Sequence, residues 1–511
     1  MLTYDDVPRA LNLASHFVDR HVEEGRGDRT ALITDDRTWS YAELAALMNR
    51  TAHVLQQLGV RPEERVLLVL ADGPVFVATW YAVLKLGAVT AEAYTFLPPK
   101  DYAYYLDYTR ARVCVTDAAT LDRLREPAAA SRWLEHVLVV GADPADLRDG
   151  EAHFETLTEA SPERFDAAPT TRDDIAIWKF TTGSTGAPKA CVHPAHSALL
   201  SCDWYATGVL GMREDDVVLP VPKLFFGYAR DMAALFPFQS GAAGIVFAER
   251  STPARLYELA ARHAPTILVN VPTMMSAMLA DPQPEALASL RLCTSAGEAL
   301  PAELHRRWLD AFGVEVLDGI GSSEAYHIYI SNRPGAARIG STGQVVPGYR
   351  ARVVDEQGED VPDGETGRLW VEGDTAALMY WGAHAKSKET FAGDLVMTGD
   401  LFARDADGHF SYRGRTDSLL KVGGIFVAPA EIEHCLIEHP AVVECAVVGA
   451  ERDGLVFPRA HVVARSEVSA GELQDFVRER LSPHKRPREV VFMDSLPKTG
   501  SGKIDRRALA G

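Results

Sequence analysis

The amino-terminal part of the chain alternates between short apolar runs and longer segments whose apolar residues recur at helical spacing. This pattern predicts, in chain order, a strand end at 38–41, a helix at 42–58 with Ser40 as its N-cap, a strand at 65–70, a helix at 75–86 that ends at Gly87, and strands at 113–116 and 136–140. Strands that alternate with helices predict an α/β sheet with helices on its faces.

The pattern changes further along the chain. A second alternation over 216–312 contains predicted strands at 217–221, 244–247 and 266–271. Residues 343–412 carry short alternating segments between Gly- and Asp-rich turns, which predicts a small antiparallel sheet or barrel. The last elements predicted are a helix at 429–438, strands at 442–448 and 459–463, and a helix at 470–481.

These changes predict two domains, one over 1–416 and a compact α+β domain over 417–511. The second has the usual size of an independent domain. The first is long enough for more than one folding unit, at about 150 residues each.

Composition narrows the functional classes. Lys and Arg total 52 against 71 Asp and Glu, a formal net charge of −19. An acidic chain lacks the basic surface of a nucleic-acid binder, so an anionic ligand must meet a few placed cations and backbone N–H groups. No run of about 18 apolar residues predicts a membrane span, and the first residues lack the apolar core of a signal peptide.

The six cysteines form no CxxC pair and are too sparse for a disulfide framework. This usage argues against a zinc site and favours a reducing compartment. We therefore expect a cytoplasmic protein that binds neither nucleic acid nor membranes. The sequence does not distinguish a monomer from a homodimer.

The first segment with candidate chemistry follows an apolar run at 175–180. It reads Thr181-Thr182-Gly183-Ser184-Thr185-Gly186-Ala187-Pro188-Lys189. Hydroxyls, glycines and one lysine make a donor-rich loop that can wrap phosphate oxygens, because glycine lets the backbone approach closely. The loop does not match the P-loop pattern, and a plain polar turn is an equal alternative for it alone.

Two further segments carry single carboxylates on Gly-rich turns. Glu324 ends the turn Leu317-Asp318-Gly319-Ile320-Gly321-Ser322-Ser323-Glu324 and can offer Mg²⁺ a hard oxygen ligand, against the ordinary interpretation of a helix N-terminal acid. Asp400, in Thr398-Gly399-Asp400, can accept two ribose hydroxyls, although an ordinary turn explains the tripeptide alone.

The remaining two segments carry cations. Arg413 and Arg415 flank a glycine at the predicted domain boundary, where a solvated turn is the alternative. Lys503 lies on the Gly/Ser loop at 497–504, from which its ammonium can reach a site on another domain, unless this stretch is a frayed tail.

Together and in this order, the five segments resemble the motifs of the adenylate-forming superfamily of acyl- and aryl-CoA ligases, carrier-protein adenylation domains and firefly luciferase. The matching stretches are 181–189, 321–324, 398–400, 413–417 and 497–503, and the resemblance covers essentially the whole chain. It implies an α/β fold, with a large N-terminal domain of two α/β subdomains and a distorted β-barrel, and a small mobile α+β C-terminal domain.

The implied reaction has two halves. A carboxylate attacks the α-phosphorus of Mg·ATP, giving an acyl-adenylate and pyrophosphate, and a thiol then displaces AMP. The C-terminal domain is expected to rotate between the halves.

The resemblance implies a role for each matching residue. Lys503 is expected to bridge carboxylate and α-phosphate as a catalytic residue, Glu324 to bind Mg²⁺, and Asp417 to act as the hinge. Gly423 and Gly424 match positions near the pantetheine tunnel. Residues 181–189 would cover the β- and γ-phosphates. The implied ATP- and AMP-binding set is Thr181, Thr182, Ser184, Thr185, Lys189, Asp318, Gly319, Ser323, Asp400 on the ribose hydroxyls, and Arg415 on ribose or phosphate.

Within the superfamily the chain looks most like the benzoate–CoA ligases. The stretches that carry this likeness are Pro222-Lys223-Leu224-Phe225-Phe226-Gly227-Tyr228 and Asp318-Gly319-Ile320-Gly321-Ser322-Ser323-Glu324-Ala325-Tyr326-His327-Ile328, continuing to Ser331-Asn332-Arg333-Pro334-Gly335. The implied acid-binding set is Phe226 and Tyr228 on the ring, His327 (also expected to be catalytic) and Lys421 near the carboxylate, and Ala296, Gly297, Gly321 and Ile328. Core packing is the alternative for Phe225 and Phe226, and a structural role for His327.

Several positions depart from the family pattern. Arg230 and Asp231 stand where small or apolar residues are usual. A solvated helix start is the favoured interpretation, and contact with a polar ring substituent is the alternative. Ile320 replaces a common aromatic residue, so adenine stacking should be weaker or come from elsewhere, whereas Ser323 replaces a common threonine and keeps the hydroxyl.

The sequence thus predicts an aryl-CoA ligase for benzoate or a substituted benzoate, using ATP, Mg²⁺ and coenzyme A. One alternative loads an aryl acid onto the phosphopantetheine thiol of a carrier protein. Another uses a non-thiol acceptor, including diazotisation of an aryl amine. A catalytically inactive binding protein is disfavoured by the presence of Lys503, Glu324 and Asp400.

Overall fold

The computed structural model describes residues 1–181, 187–422, 425–452, 455–498 and 504–510. The strands up to residue 345 all belong to its two large sheets and fall in two groups along the chain. The first group is β1 (Thr30–Ile33), β2 (Thr38–Ser40), β3 (Arg65–Val69), β4 (Val89–Glu92), β5 (Val113–Asp117), β6 (His136–Val140), β7 (Glu151–His153), β8 (Ile175–Thr181) and β9 (Lys189–Pro194). The second is β10 (Val217–Pro220), β11 (Ala243–Ile245), β12 (Ile267–Asn270), β13 (Leu292–Ser295), β14 (Val316–Gly321), β15 (Ile328–Ser331) and β16 (Gln344–Val345).

All but one of the later strands form smaller sheets. They are β17 (Arg350–Val354), β18 (Thr366–Glu372), β19 (Met379–Tyr380), β20 (Phe391–Ala392), β21 (Leu395–Arg404), β22 (Phe410–Arg415), β23 (Leu420–Val422), β24 (Ile425–Val427), β25 (Val442–Arg452), β26 (Leu455–Ala464) and β27 (Glu489–Phe492).

Helices connect these strands and cover the sheets. In the described ranges they are α1 (Arg20–Glu23), α2 (Tyr41–Gln57), α3 (Pro74–Lys85), α4 (Pro99–Thr109), α5 (Ala118–Ala130), α6 (Phe154–Glu159), α7 (Ala195–Ser201), α8 (Gly227–Ala234), α9 (Phe236–Ser240), α10 (Pro253–His263), α11 (Pro272–Met278), α12 (Ala302–Phe312), α13 (His384–Thr390), α14 (Pro429–Ile437), α15 (Ala470–Arg480) and α16 (Arg506–Ala510). None of them, over the part of the chain described, combines the length and apolar character needed to cross a bilayer.

The two large sheets are mixed, with parallel strands at their centres. One runs β16-β15-β14-β13-β12-β10-β11-β1-β2 and the other β19-β9-β8-β4-β3-β5-β6-β7. Strands β17, β18, β20, β21 and β22 form an antiparallel sheet, and β25, β26 and β27 pair in the carboxy-terminal part. These sheets confirm the α/β class and the antiparallel segment over 343–412.

Local sequence explains why α2 begins where it does. The Ser40 hydroxyl accepts from the Glu43 backbone N–H at 3.1 Å, and the Glu43 carboxylate accepts from the Ser40 N–H at 2.8 Å. This capping box satisfies two otherwise unpaired donors and confirms Ser40 as the N-cap. Apolar residues of α2 and α3, among them Met48 and Tyr81, are buried in the main core.

Most predicted elements occur within a residue or two of their predicted limits. The strand expected at 244–247 is shorter and earlier, at Ala243–Ile245, while the one expected at 442–448 continues to Arg452. The second difference arises because β25 and β26 form a long hairpin pairing Val442 with Ala464 and Arg452 with Leu455.

Candidate active site

A cleft of about 1850 Å³ opens where parallel strands of both large sheets end. Its walls include residues at or just after the carboxyl ends of β4, β8, β10, β13 and β14. Ligand sites of open α/β sheets form at this edge, because the loops that follow parallel strands converge there. His434, Glu438 and Lys498 also line the cleft, so the carboxy-terminal part contributes to its wall.

Aromatic side chains form one wall. Phe226 precedes α8, and its ring centroid lies 4.9 Å from those of Tyr94 and Phe225. The Tyr228 hydroxyl is held by a 2.7 Å hydrogen bond with Thr294 Oγ1 on β13. All four aromatic residues line the cleft, so Phe225, although mostly buried, belongs to this wall as well as to the core.

His327 lies beside this wall and is almost completely buried. Its ring is 4.7 Å from that of Phe236, and its Nε2 is 3.4 Å from the Tyr228 carbonyl oxygen. Burial lowers the pKa of His327 to about 3, so the imidazole is neutral near pH 7. Nδ1 has no hydrogen-bond partner among the described residues. His327 can therefore offer a ligand a hydrogen bond and no charge.

The other residues that the sequence predicts for an acid pocket also line the cleft. They are Ala296, Gly297, Gly321 and Ile328. A Cβ on Gly321 would stand 2.3 Å from the His327 carbonyl oxygen, so only glycine allows β14 to pass the segment that carries His327.

The polar residues expected at a nucleotide line the same cleft. Asp400 on β21 and Arg415 on β22 are opposite each other in register and form an ion pair of 3.1 Å. Thr181 and Lys189 pair across the β8–β9 hairpin that carries the Gly/Ser/Thr loop. The Ser323 hydroxyl donates to the Phe180 carbonyl oxygen at 3.3 Å.

Asp318 lies deeper, within β14 and next to Gly319. Burial raises its pKa, and its Oδ1 has no hydrogen-bond partner within the described ranges. An almost buried carboxyl with an unmet oxygen suits a ligand donor such as an amino group.

Glu324 is the carboxylate placed best for a cation. Tyr380 Oη donates to Glu324 Oε1 at 2.7 Å and orients the group, which lines the cleft. No cluster of three or more metal-ligating side chains occurs in the part of the chain described. A single carboxylate fits Mg²⁺ that takes its other ligands from phosphates and water.

Several predicted site residues are not placed in full. Thr182, Ser184, Thr185, Gly423, Gly424 and Lys503 lie outside the described residues. The backbone of Lys421 belongs to β23, and that of Asp417 to a short turn between β22 and β23.

The expectation of a solvated helix start at Arg230 and Asp231 is wrong. Both residues lie within α8 and are 1% and 0% exposed. Their charges are compatible with burial because Arg230 contacts Glu92 at 3.0 Å and Asp231 at 3.0 Å, while Lys179 pairs with Asp231. Although burial opposes it, pairing with Lys179 and Arg230 holds the pKa of Asp231 below its ordinary value.

Sequence reasoning missed Glu92, Lys179 and Tyr326 as residues of this cleft. A signal existed for two of them, because Glu92 and Lys179 are charged residues within or at the end of apolar strands. A charge in a buried strand requires a partner. The partners are the two residues of α8 that depart from the family pattern, Arg230 for Glu92 and Asp231 for Lys179.

The cleft thus has a closed end and an open end. We define the closed end as Glu92, Lys179, Arg230, Asp231, Tyr326 and His327, which are all buried. We define the open end as Lys189, Ser323, Glu324, Arg413 and Arg415, which retain access to solvent.

Comparison with known proteins agrees with this arrangement. The family model "AMP-binding enzyme" matches residues 18–381, and "AMP-binding enzyme C-terminal domain" matches 431–503. The chain is 41% identical to a benzoate–CoA ligase of Thauera aromatica over 98% of this chain and 96% of that protein.

Two solved structures have the same architecture. The anthranilate CoA ligase AuaEII in complex with anthranoyl-AMP superposes with a TM-score of 0.94 at 37% identity, covering 99% of this chain and 98% of that one. A benzoate CoA ligase from Burkholderia xenovorans LB400 gives 0.90 at 39% identity, with 98% and 100% coverage. The chain therefore belongs to the AMP-binding enzyme family, as an AMP-forming acid–thiol ligase similar to benzoate–CoA ligases.

Proposed function

We propose that this enzyme activates an aromatic carboxylic acid, benzoate or a substituted benzoate, with ATP and transfers the aryl group to the thiol of coenzyme A. The products are aryl-CoA, AMP and pyrophosphate. One observation carries the proposal: a single cleft joins an aromatic wall, Phe226 and Tyr228, to the Asp400–Arg415 pair and Glu324. The relatives named above, which are ligases of benzoate and anthranilate, support the same class of acid.

The aromatic wall and His327 would bind and orient the acid. A flat ring fits between aromatic side chains, while the neutral imidazole offers a hydrogen bond without attracting the carboxylate so strongly that it could not react. Keeping His327 neutral leaves charge stabilisation to cations, since two anions must approach each other in the first half-reaction.

The open end would bind the nucleotide. Asp400 is expected to accept the ribose hydroxyls, and Arg415, paired with it, to contact ribose or phosphate. Lys189 and the loop that it ends would cover the β- and γ-phosphates. Bound Mg²⁺, held by Glu324, would neutralise phosphate charge. Lys503 is proposed to bridge the carboxylate and the α-phosphate.

The first test measures pyrophosphate release with Mg·ATP across benzoate, hydroxybenzoates, aminobenzoates, cinnamates and short fatty acids, with and without coenzyme A. We expect release with an aryl acid and an aryl-CoA product. Release without a thioester would favour a carrier-protein thiol or another acceptor. Turnover of an aliphatic acid alone would contradict the aryl assignment.

A pair of variants assigns the two parts of the cleft. Phe226→Ala should raise the KM for the aryl acid tenfold or more, since a ring contact is lost, with little change in the KM for ATP. Asp400→Ala should raise the KM for ATP, with little change in the KM for the aryl acid. Phe492→Ala, at an exposed phenylalanine on β27 outside the cleft, is the matched control and should change neither.

A further inference from the structure

Four buried charged side chains lie beside the aromatic wall, and three of them, Glu92, Lys179 and Arg230, line the cleft themselves. Glu92, Lys179, Arg230 and Asp231 carry two formal positive and two formal negative charges, and contacts link all four. Trp80 Nε1 also donates to Glu92 Oε1 at 2.7 Å. Because the formal charges cancel, a ligand with a second net charge would gain nothing from this group.

This group touches the ring wall at Gly227, the residue between Phe226 and Tyr228. A Cβ at Gly227 would stand 2.7 Å from Lys179 Cε and 3.1 Å from Nζ. The lysine cannot yield easily, because its ammonium donates to Asp231 and to the Tyr326 carbonyl oxygen. The ring wall and the charged group are therefore in van der Waals contact.

Tyr326 contacts the charged group and also lines the cleft beside the aromatic wall. Its backbone has a φ of +74°, an unfavourable conformation for a bulky residue, and its carbonyl accepts from Lys179 Nζ at 2.5 Å. The ammonium lies 3.7 Å from the centroid of the Tyr326 ring. Strain of this kind persists only where the surroundings impose it, and it concentrates at functional sites.

The Tyr326 hydroxyl has a hydrogen-bonding capacity that nothing in the described structure uses. The side chain is 1% exposed and lines the cleft, yet Oη has no hydrogen-bond partner among the described residues. Burial raises the pKa of Tyr326, so the hydroxyl remains protonated and can both donate and accept. Leaving such a group unpaired in the protein interior is unfavourable, and a ligand can supply the missing partner.

We propose that Tyr326 determines specificity, its hydroxyl forming a hydrogen bond with a neutral hydroxyl or amino substituent on the ring of the acid. This inference rests on the proposed aryl-acid function. The four buried charges act through Tyr326: Lys179, held by Asp231, fixes its carbonyl and ring, and the group as a whole keeps this end of the cleft electrically balanced. An unsubstituted ring would leave the hydroxyl without a partner, which is how a polar site rejects an apolar analogue.

The test compares kcat/KM for benzoate and for the 2-, 3- and 4-hydroxy- and aminobenzoates in the wild type, Tyr326→Phe and Tyr329→Phe. Tyr329 is the matched control, because it is also a fully buried tyrosine whose hydroxyl lacks a partner among the described residues, but it does not line the cleft. The separate hydroxy and amino arms identify which substituent is bound.

We expect the wild type to favour one substituted acid over benzoate by roughly tenfold or more. Tyr326→Phe should reduce that preference by roughly tenfold to a hundredfold, because kcat/KM falls more for the substituted acid than for benzoate. Tyr329→Phe should leave the ratio unchanged.

Three results would overturn the inference. An equal loss with every acid would show a purely structural role for Tyr326, and an unchanged ratio would show that the hydroxyl does not meet the substituent. A wild type that favours benzoate would refute the inference while leaving the aryl-CoA ligase function intact. Absence of pyrophosphate release with any aryl acid would instead refute the proposed function, and this inference with it.

Discussion

The two ends of the cleft are built in opposite ways. At the closed end, charged side chains are buried and paired with one another, as in the Lys179–Asp231 contact on β8 and α8. At the open end Arg415 keeps 43% of its side chain exposed beside Asp400. The acid would therefore meet buried groups that their ion pairs already hold in place, whereas the nucleotide would meet groups that water can still reach.

The strongest test of this contrast is a separation of the two half-reactions. Lys503→Ala should abolish adenylate formation, lowering its rate roughly a thousandfold or more, since a charge aimed at the transition state is lost. Thiol transfer from preformed aryl-AMP should be largely retained. Both rates would be measured by single-turnover kinetics. Equal loss of both half-reactions would show that Lys503 does not act in adenylate formation alone.

Removing a charge from the closed end should lower the free energy of unfolding. Asp231→Ala would leave Lys179 and Arg230 buried without their shared carboxylate, which typically destabilises a protein by about 3–5 kcal/mol. Urea unfolding would measure this loss of stability. Asp35→Ala removes a carboxylate that pairs with Arg255 and Arg262 at the surface, and should cost about 1 kcal/mol or less. Similar values for the two variants would show that the closed end does not depend on its buried ion pairs.

Acid should weaken the interior next to the closed end. Burial lowers the pKa of His193, which bonds the Ser323 carbonyl oxygen through Nε2 at 2.7 Å, to about 3. Between that value and about 6.5 the unfolded chain binds a proton on this histidine and the folded chain does not. The free energy of unfolding should therefore fall as pH decreases through this window, by about 1.4 kcal/mol per pH unit for each such histidine.

The matching variant is His193→Gln, which keeps a donor to Ser323. Its free energy of unfolding, measured in urea at pH 7, 6 and 5, should depend less on pH than that of the wild type. His384→Gln, at an exposed position, should retain the wild-type slope. A slope unaltered in His193→Gln would show that other groups dominate acid unfolding.

The smallest effect is expected at the open end. Tyr380→Phe removes one hydrogen bond to Glu324 and should raise the KM for Mg·ATP roughly threefold to tenfold, with little change in the KM for the acid. Tyr4→Phe removes a comparable tyrosine–carboxylate bond to Asp173 away from the cleft and should leave both constants unchanged. A larger change in the acid constant would mean that the ends are more tightly coupled than their burial suggests.

Much of the fold could be predicted from sequence because its signals are local. Apolar periodicity placed α2 and β6, and Ser40 marked a helix start. The position of the aromatic wall followed from a motif. What could not be predicted was the fate of Arg230 and Asp231, because their partners are supplied by β4 and β8, far away in the chain. Burial of a charge depends on tertiary partners that a helical pattern does not contain.

The conformation of Tyr326 could not be predicted from the sequence either. Nothing in the segment Glu324–Ile328 indicates that its tyrosine adopts a positive φ, because Lys179 contacts its carbonyl from β8, or that its hydroxyl finds no partner among the described residues. The roles of Lys503, Asp417, Gly423 and Gly424 stay predictions from the family resemblance.

The contact between Gly227 and Lys179 also limits how this enzyme can be redesigned. Any side chain added at position 227 would press on an ammonium that two hydrogen bonds hold in place. Libraries that seek a new acid preference should therefore leave 227 unchanged and vary 226, 228 and 326 together. The same contact implies that natural drift at this wall is correlated, because a larger residue at 227 becomes tolerable only after the lysine on β8 has been replaced.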